Sequence, residues 1–227
     1  MYDNRFDIDP FGDPINHTQA NRCGEIVAGI AQGTEEWLAL RCGCITSSKV
    51  SDMMAKGNGL TRQKYLNQLA IERITGKPMS HGFKSKSMQK GNDDEPLARQ
   101  EYWITSELDV ETVTFVFHPT IANAGASPDA LVGFDGGLEI KCPDLNTHIE
   151  YLVNKKIPTN YVWQIQWLLA CTGRDWFDWM SYAKELPPDL RKLIIRVVRD
   201  DKKIQQLESE AERLNNDVEQ LIKKLRG

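Results

Sequence analysis

An even cysteine framework, paired histidines, a long apolar run and a basic excess are all missing from this chain, and each absence removes a class of protein. The 227 residues hold five cysteines, Cys23, Cys42, Cys44, Cys142 and Cys171. An odd number in a chain this long is not the framework of a small disulfide-stapled secreted domain. Cys42-Gly43-Cys44 has one residue between its thiols, whereas zinc sites use two or more. The four histidines, His17, His81, His118 and His148, are scattered without ligand spacing, so a zinc centre is not expected. No apolar stretch reaches the ~20 residues of a membrane-spanning helix. Residues 1–14 are acidic and interrupted by proline, unlike a signal or transit peptide; the expectation is a cytoplasmic protein with no membrane association. Lys and Arg total 28 against 32 Asp and Glu, a formal net charge of −4. That balance argues against a uniformly basic nucleic-acid binder. It leaves room for one basic cleft, because local charge matters more than total charge.

What is present reads as an α/β protein built around a mixed β-sheet, with a C-terminal heptad helix. Residues 1–25 have little periodicity and read as an N-terminal arm, residues 26–200 as the globular domain, and residues 201–227 as an amphipathic helix. Thr34 is placed to cap a short helix over residues 35–41, with Glu35 and Glu36 in its first turn. Thr46 to Val50 begins another. Thr61 to Thr75 carries Leu66, Leu69, Ala70 and Ile74 on one stripe and stops at Gly76. His81 to Lys90 reads as a basic loop, and Asn92-Asp93-Asp94-Glu95 as the opening of the next helix, with Pro96 in its first turn. A β-rich block follows: a strand over Val110 to Phe117, a second over Ala130 to Phe134, a turn at Asp135-Gly136-Gly137 and a third strand through Leu138-Glu139-Ile140-Lys141. Pro158 to Cys171 reads as a helix ended by Gly173, and Trp176 to Ala183 and Leu193 to Arg199 as two more strands. From Asp201, Ile204, Leu207, Ala211, Leu214, Val218, Leu221 and Leu225 step by threes and fours, an a/d seam. Such a seam packs on its own domain, on a second copy or on a partner.

Chemistry concentrates between Ser127-Pro128-Asp129 and Glu139-Ile140-Lys141. A strand alternates faces, so Glu139 and Lys141 share one side and Ile140 turns to the core. The intervening turn folds Asp129 back beside Glu139. Two crowded carboxylates repel unless a positive charge lies between them. Oxygen-only ligands suit Mg²⁺, with Mn²⁺ as a substitute, and the Ile140 backbone carbonyl is available as a third ligand. Lys141, one pleat along, is placed to orient an attacking water and to stabilise charge on a phosphorane-like transition state. A Glu-x-Lys strand by itself is equally an ordinary solvated face; the preceding Pro-Asp and the turn spacing separate the two readings.

Pro128-Asp129 … Glu139-Ile140-Lys141 resembles the PD-(D/E)XK nuclease signature, and the resemblance implies a restriction-endonuclease-like core, a central mixed β-sheet flanked by helices. The ordered set Trp37-Leu38-Ala39-Leu40-Arg41, Gly43-Cys44-Ile45-Thr46-Ser47-Ser48, Gly91-Asn92-Asp93-Asp94-Glu95, Ser127-Pro128-Asp129-Ala130, Leu138 to Pro143 and Tyr161 to Gln166 resembles the phage lambda exonuclease family, the YqaJ-type viral recombinases. That resemblance implies a Mg²⁺-dependent 5′-to-3′ exonuclease that resects linear double-stranded DNA bearing a 5′-phosphate. It also implies a ring-shaped homotrimer and a 3′ single strand on which a single-strand annealing protein loads for recombination. By position it implies that Asp129 and Glu139 hold metal with Glu95 as a further acid, that Lys141 is the catalytic lysine, and that Gln164 orients the water or the lysine. Arg41 and Ser48 match positions that grip the terminal 5′-phosphate, with Ser127 a third, and Met88 falls where the family has a duplex-splitting wedge.

Each position has a plainer reading. Glu95 is also a helix-capping acid, Gln164 and Gln166 are also polar positions on an amphipathic helix, Arg41 is also a helix-end arginine, Ser48 a cap and Met88 loop filler. Two rival functions remain. A PD-(D/E)XK endonuclease or resolvase would use the same acids but cut internally, and a coiled-coil adaptor would keep the fold without the chemistry.

Overall fold

The computed structural model describes residues 22–55, 59–79 and 86–227, the side chains of 86–88 excepted. The expected arm therefore lies outside the described residues as far as residue 21, as does the part of the expected basic loop from 81 to 85. The chain opens with β1 (Ile26–Val27) and α1 (Glu35–Leu40), whose Thr34 cap accepts from the Trp37 N–H at 3.2 Å. It continues through β2 (Ile45–Thr46), a single 3₁₀ turn at Ser47–Lys49, α2 (Val50–Met53) and α3 (Leu60–Thr75). Gly76 ends α3 at φ 63°, where a Cβ would be strained. Next come α4 (Lys86–Ser106), β3 (Val110–Glu111), β4 (Phe115–Phe117), β5 (Ala124–Ala126), β6 (Ala130–Val132) and β7 (Gly136–Lys141). The chain closes with α5 (Leu145–Asn154), α6 (Thr159–Thr172), β8 (Trp176–Tyr182), β9 (Lys192–Val198) and α7 (Asp201–Arg226).

The strands form two mixed sheets rather than one, in the orders β1-β4-β5-β2 and β3-β6-β7-β8-β9. In the second, β7 and β8 run parallel and every other pair is antiparallel. The expected single strand over Val110 to Phe117 is thus two: β3 joins the five-stranded sheet and β4 the four-stranded one. The expected turn at Asp135-Gly136-Gly137 sits two residues too late, since both glycines already belong to β7. They are glycines because aromatic rings of the neighbouring strand lie flat against them. A Cβ on Gly136 would come within 2.1 Å of the Trp176 ring and one on Gly137 within 2.2 Å of Phe177. The turn itself is Gly133 to Asp135, with Gly133 at φ 53°.

The acidic run at 92–95 lies inside α4, not at its start, so Pro96 is mid-helix. The acids there satisfy lysines instead of free helix N–H groups: the fully buried Asp94 accepts from Lys90 at 2.7 Å and Lys184 at 2.6 Å. α5 has no counterpart in the sequence reading.

The five-stranded sheet is covered on both faces. Leu138, Ile140, Met180 and Tyr182 pack with Ala98 and Tyr102 of α4. The alternate residues of β8, Phe177 and Trp179, join Ile165, Leu168 and Leu169 of α6 on the other face. That same cluster takes in Ile204, Leu207, Ala211, Leu214 and Val218 of α7. The heptad seam is therefore buried in its own subunit for most of its length, and only its last member, Leu225, is largely exposed. This seam is not an open docking surface, and α7 is part of the core. Truncating Leu214 to Ala is expected to cost about 2–5 kcal/mol and lower Tm by several degrees, whereas Leu225→Ala stays within about 0.5 kcal/mol. Thermal unfolding decides it, and equal losses at both positions would overturn the packing described.

Candidate active site

Asp129 lies just before β6, and its Oδ2 accepts from the Ile140 N–H of β7 at 2.6 Å. This bond ties the Pro-Asp segment to the middle of the neighbouring strand. Glu139, on β7, is almost wholly buried, and its Oε1 accepts from Lys141 Nζ at 2.5 Å and from Gln164 Nε2 of α6 at 2.7 Å. Glu139 Oε2 is buried without a hydrogen-bond partner, a costly state for a carboxylate oxygen. Glu95 reaches the same cluster from α4 and is paired with Arg99 one turn along.

The charges act on one another. Burial first, then the charges of Glu139 and Glu95, push the Asp129 carboxyl well above the usual range, with Lys141 and the Ile140 N–H pulling back. Burial also raises Glu95, as does Glu139, against the pull of Arg99 and Lys141. Burial alone would lower the Lys141 ammonium, but Glu139 and Asp129 outweigh it and hold it above the usual lysine value. Crowded, partly desolvated carboxylates with one unpartnered buried oxygen fit a hard divalent cation with oxygen ligands. As the side chains stand, no group of three or more His, Cys, Asp or Glu converges at metal-binding distance among the described residues; Glu95 is held by Arg99.

Asp129 and Glu95 line a cavity of about 940 Å³, and Arg41, Ser48, Trp37 and Arg99 line it with them. The Arg41 guanidinium lies 3.9 Å from the centre of the Trp37 ring. Its Nε is buried without a partner, and burial lowers its pKa. Trp37 is fixed in turn, donating from Nε1 to Ser127 Oγ at 3.2 Å, while Ser127 donates to the Thr114 carbonyl at 2.9 Å. Of the three expected phosphate residues, Arg41 and Ser48 thus face the cavity. Ser127 does not line it and spends its hydroxyl on Trp37. Glu139, Lys141 and Gln164 are also not lining residues, and connect to the cavity through Asp129. Met88 lies in α4, but its side chain is outside the described residues.

Three participants have no role in the sequence reading: Trp37, Arg99 and Tyr161, the last with its ring centre 5.1 Å from Lys141 Nζ. Each stands one helical turn from a residue that was singled out, as Trp37–Arg41, Glu95–Arg99 and Tyr161–Gln164. The i,i+3 and i,i+4 rule was the available signal.

A model of the YqaJ-like viral recombinase domain matches residues 36–175, which contain every one of these side chains. The chain belongs to the YqaJ-like viral recombinase family. Among solved structures, an alkaline exonuclease from Laribacter hongkongensis, LHK-Exo, superposes with a TM-score of 0.80 at 41% identity, covering 85% of this chain and 96% of its own. LHK-Exo in complex with dAMP matches to the same extent. A phage-related exonuclease from Haemophilus somnus 129PT shares the fold at TM-score 0.65 and 15% identity, over 80% of this chain and 96% of that one. A search of curated proteins finds no match.

The raised Asp129 carboxyl predicts a pH dependence for this YqaJ-family chain. A group whose folded pKa is raised adds stability that is complete below its unfolded pKa, about 3.9, and lost as pH rises through the folded value. Without divalent ions this carboxyl should therefore withdraw stability as pH climbs from about 4 towards neutrality, a contribution read by difference because Asp94, held below the usual range against its burial by Lys184 and Lys90, acts in the opposite sense. Asp129→Asn keeps an acceptor for the Ile140 N–H and removes the charge. Its Tm should exceed the parent's by a margin that widens with pH, about 2–4 °C for each kcal/mol. A Tm at or below the parent's at every pH in EDTA would contradict the charge crowding.

Proposed function

We propose that this protein is a metal-dependent deoxyribonuclease of the lambda exonuclease type. It digests one strand of linear duplex DNA from a 5′-phosphorylated end and leaves a 3′ single strand for recombination. The observation that carries this reading is the Asp129–Glu139–Lys141 cluster, with its unpartnered Glu139 oxygen, joined to a cavity that also presents Arg41 on the face of Trp37. The family and the likeness to LHK-Exo, an alkaline exonuclease, support it.

Asp129 and Glu139 would hold the metal, Mg²⁺ or Mn²⁺, with the Ile140 carbonyl and Glu95 as further ligands, and a metal held there would supply charge to polarise the scissile phosphate and acidify the attacking water. Gln164 fixes Glu139 through Oε1 and leaves Oε2 for that role. Lys141 orients the water and stabilises the charge that develops on the phosphate. Arg41, pre-aimed by Trp37, binds the terminal 5′-phosphate with Ser48, since a planar guanidinium matches phosphate oxygens in pairs. A homotrimeric ring around the duplex reconciles the net acidic chain with DNA binding, with a basic lumen and an acidic exterior. A single-strand annealing protein takes up the 3′ strand, and the protein works in the cytoplasm of a bacterial host.

The test uses an end-labelled linear duplex with 5′-phosphates beside a closed circle of the same DNA, with Mg²⁺ and then with EDTA. The linear DNA should shorten from its 5′ ends while the circle survives. EDTA should abolish the reaction, and Lys141→Ala should lower kcat by at least about 100-fold. Cutting of the circle with the same metal and lysine dependence would leave the site in place and make the protein an endonuclease or resolvase. No cutting with Mg²⁺ or Mn²⁺ would sink the enzymatic reading. A separate measurement addresses the end. Arg41→Ala is expected to raise KM for phosphorylated ends by about 10- to 100-fold, the value of a lost charged hydrogen bond, and to erase the preference over unphosphorylated ends. An unchanged preference would remove Arg41 from the phosphate site.

A further inference from the structure

The Lys141 ammonium is gripped from two sides. Glu139 Oε1 lies 2.5 Å away on β7. On α6 the Tyr161 ring presents its face with the centroid 5.1 Å away, inside the range of a cation–π contact. Tyr161 stands three residues before Gln164, so one turn of α6 delivers an amide to the carboxylate and a ring to the ammonium. The ring is itself backed. Trp179, fully buried, lies 6.0 Å from Tyr161 at an interplanar angle of 31°, and Tyr151 meets Trp179 edge-on at 5.2 Å. Trp179 is also the ladder partner of Glu139 across the parallel β7–β8 pair. Carboxylate, ammonium and both rings therefore hang from one stretch of sheet and the helix covering it.

We infer that Tyr161 is a positioning residue for Lys141: its ring face, not its hydroxyl, holds the ammonium where the reaction needs it. The inference rests on the nuclease reading above. A lysine carries four rotatable side-chain bonds, and a single carboxylate partner fixes the distance of its ammonium but not its direction. The π-face supplies the second constraint, and it does so without competing as an acceptor for the proton that Glu139 receives. A desolvated contact of this kind is worth about five- to thirty-fold in rate if it acts in the transition state. The phenol oxygen is not needed for this role, because the attraction arises from the ring quadrupole.

Two variants of the full chain test it on linear duplex DNA with Mg²⁺: Tyr161→Phe and Tyr161→Leu. Tyr161→Leu should lower kcat by about five- to thirty-fold with KM nearly unchanged, and Tyr161→Phe should restore most of it. A second readout does not depend on turnover. In ¹H–¹³C spectra of lysine-labelled protein, the Lys141 ε-methylene signal, assigned by its absence in Lys141→Arg, should carry a ring-current shift that Tyr161→Phe keeps and Tyr161→Leu loses. Equal kcat losses in the Phe and Leu variants would assign the effect to the hydroxyl, and a loss confined to KM would make Tyr161 a substrate contact. Either result overturns the inference, as does an ε-methylene shift that Tyr161→Leu leaves in place. Parent protein that digests no DNA would sink the nuclease reading itself, whereas active parent with an equally active Tyr161→Leu sinks this inference alone.

Discussion

Everything near the candidate site follows from one electrostatic constraint: three carboxylates, Asp129, Glu139 and Glu95, crowd a partly desolvated corner of the five-stranded sheet. Like charges so placed cannot all stay ionised without compensation. The fold answers with counter-charges and donors delivered from separate elements. Lys141 comes from the same strand as Glu139, Arg99 from the helix that carries Glu95, and the Ile140 N–H from the strand beside Asp129. The compensation is incomplete, because Glu139 Oε2 is left without a partner. A buried acceptor with no donor is tolerated where a function requires it, and the stability it withholds must come from elsewhere in the molecule.

That stability comes from the helices behind the sheet. α6 places Tyr161 and Gln164 at the site and buries Ile165, Leu168 and Leu169 against the sheet. α7 then closes over the same cluster with five seam residues. It is tied to α3 by polar contacts at the edge: Arg62 pairs with Asp217 at 2.8 Å, and Arg73 donates to Asn215 at 2.5 Å. The heptad helix thus belongs to the apparatus that keeps α6 in register with β7. A shift of α6 by one residue would turn Gln164 away from Glu139 and move Tyr161 off Lys141 together, so the two contacts stand or fall as a pair.

Where a signal was local, the sequence could be read. The Thr34 cap, the Gly76 and Gly173 stops and the alternation through Glu139-Ile140-Lys141 depend on neighbours within a few residues, and each appears where those residues place it. What escaped depends on distant partners. Val110 to Phe117 alternates as one strand would, and only pairing with β6 on one side and β5 on the other splits it. Asp135-Gly136-Gly137 has the composition of a turn, and the rings that require those glycines are supplied from residues 176 and 177. Asn92 to Glu95 resembles a helix start because the lysine that neutralises Asp94 from outside α4 is Lys184. The a/d seam is real, but periodicity says only that a face is apolar, not which surface covers it. The residues expected at a terminal phosphate divide in the same way. Arg41 was visible, whereas the use of Ser127 as the brace for Trp37 depends on a contact spanning 90 positions.

Net charge was the weakest guide, and the structure shows why. Several acids are already engaged inside the fold. Glu72 accepts from the Gly43 N–H at 2.8 Å, Gln68 at 3.0 Å and the Met79 N–H at 3.1 Å. Asp178 accepts from Tyr102 at 2.8 Å and from Arg196 through both oxygens. Such groups enter the total of −4 with their oxygens already taken by neighbouring donors, although Glu72 also lines the cavity and its charge reaches Arg41. Arg41 is the opposite case. Among the described residues no carboxylate lies within ion-pair distance of it, and its guanidinium rests on an aromatic face that attracts cations without neutralising them. A desolvated cation oriented on an aromatic face and lining the cavity beside Ser48 is an anion-directed feature. On the proposed function, an incoming terminal phosphate is the direct ion-pair partner that Arg41 otherwise lacks among the described residues.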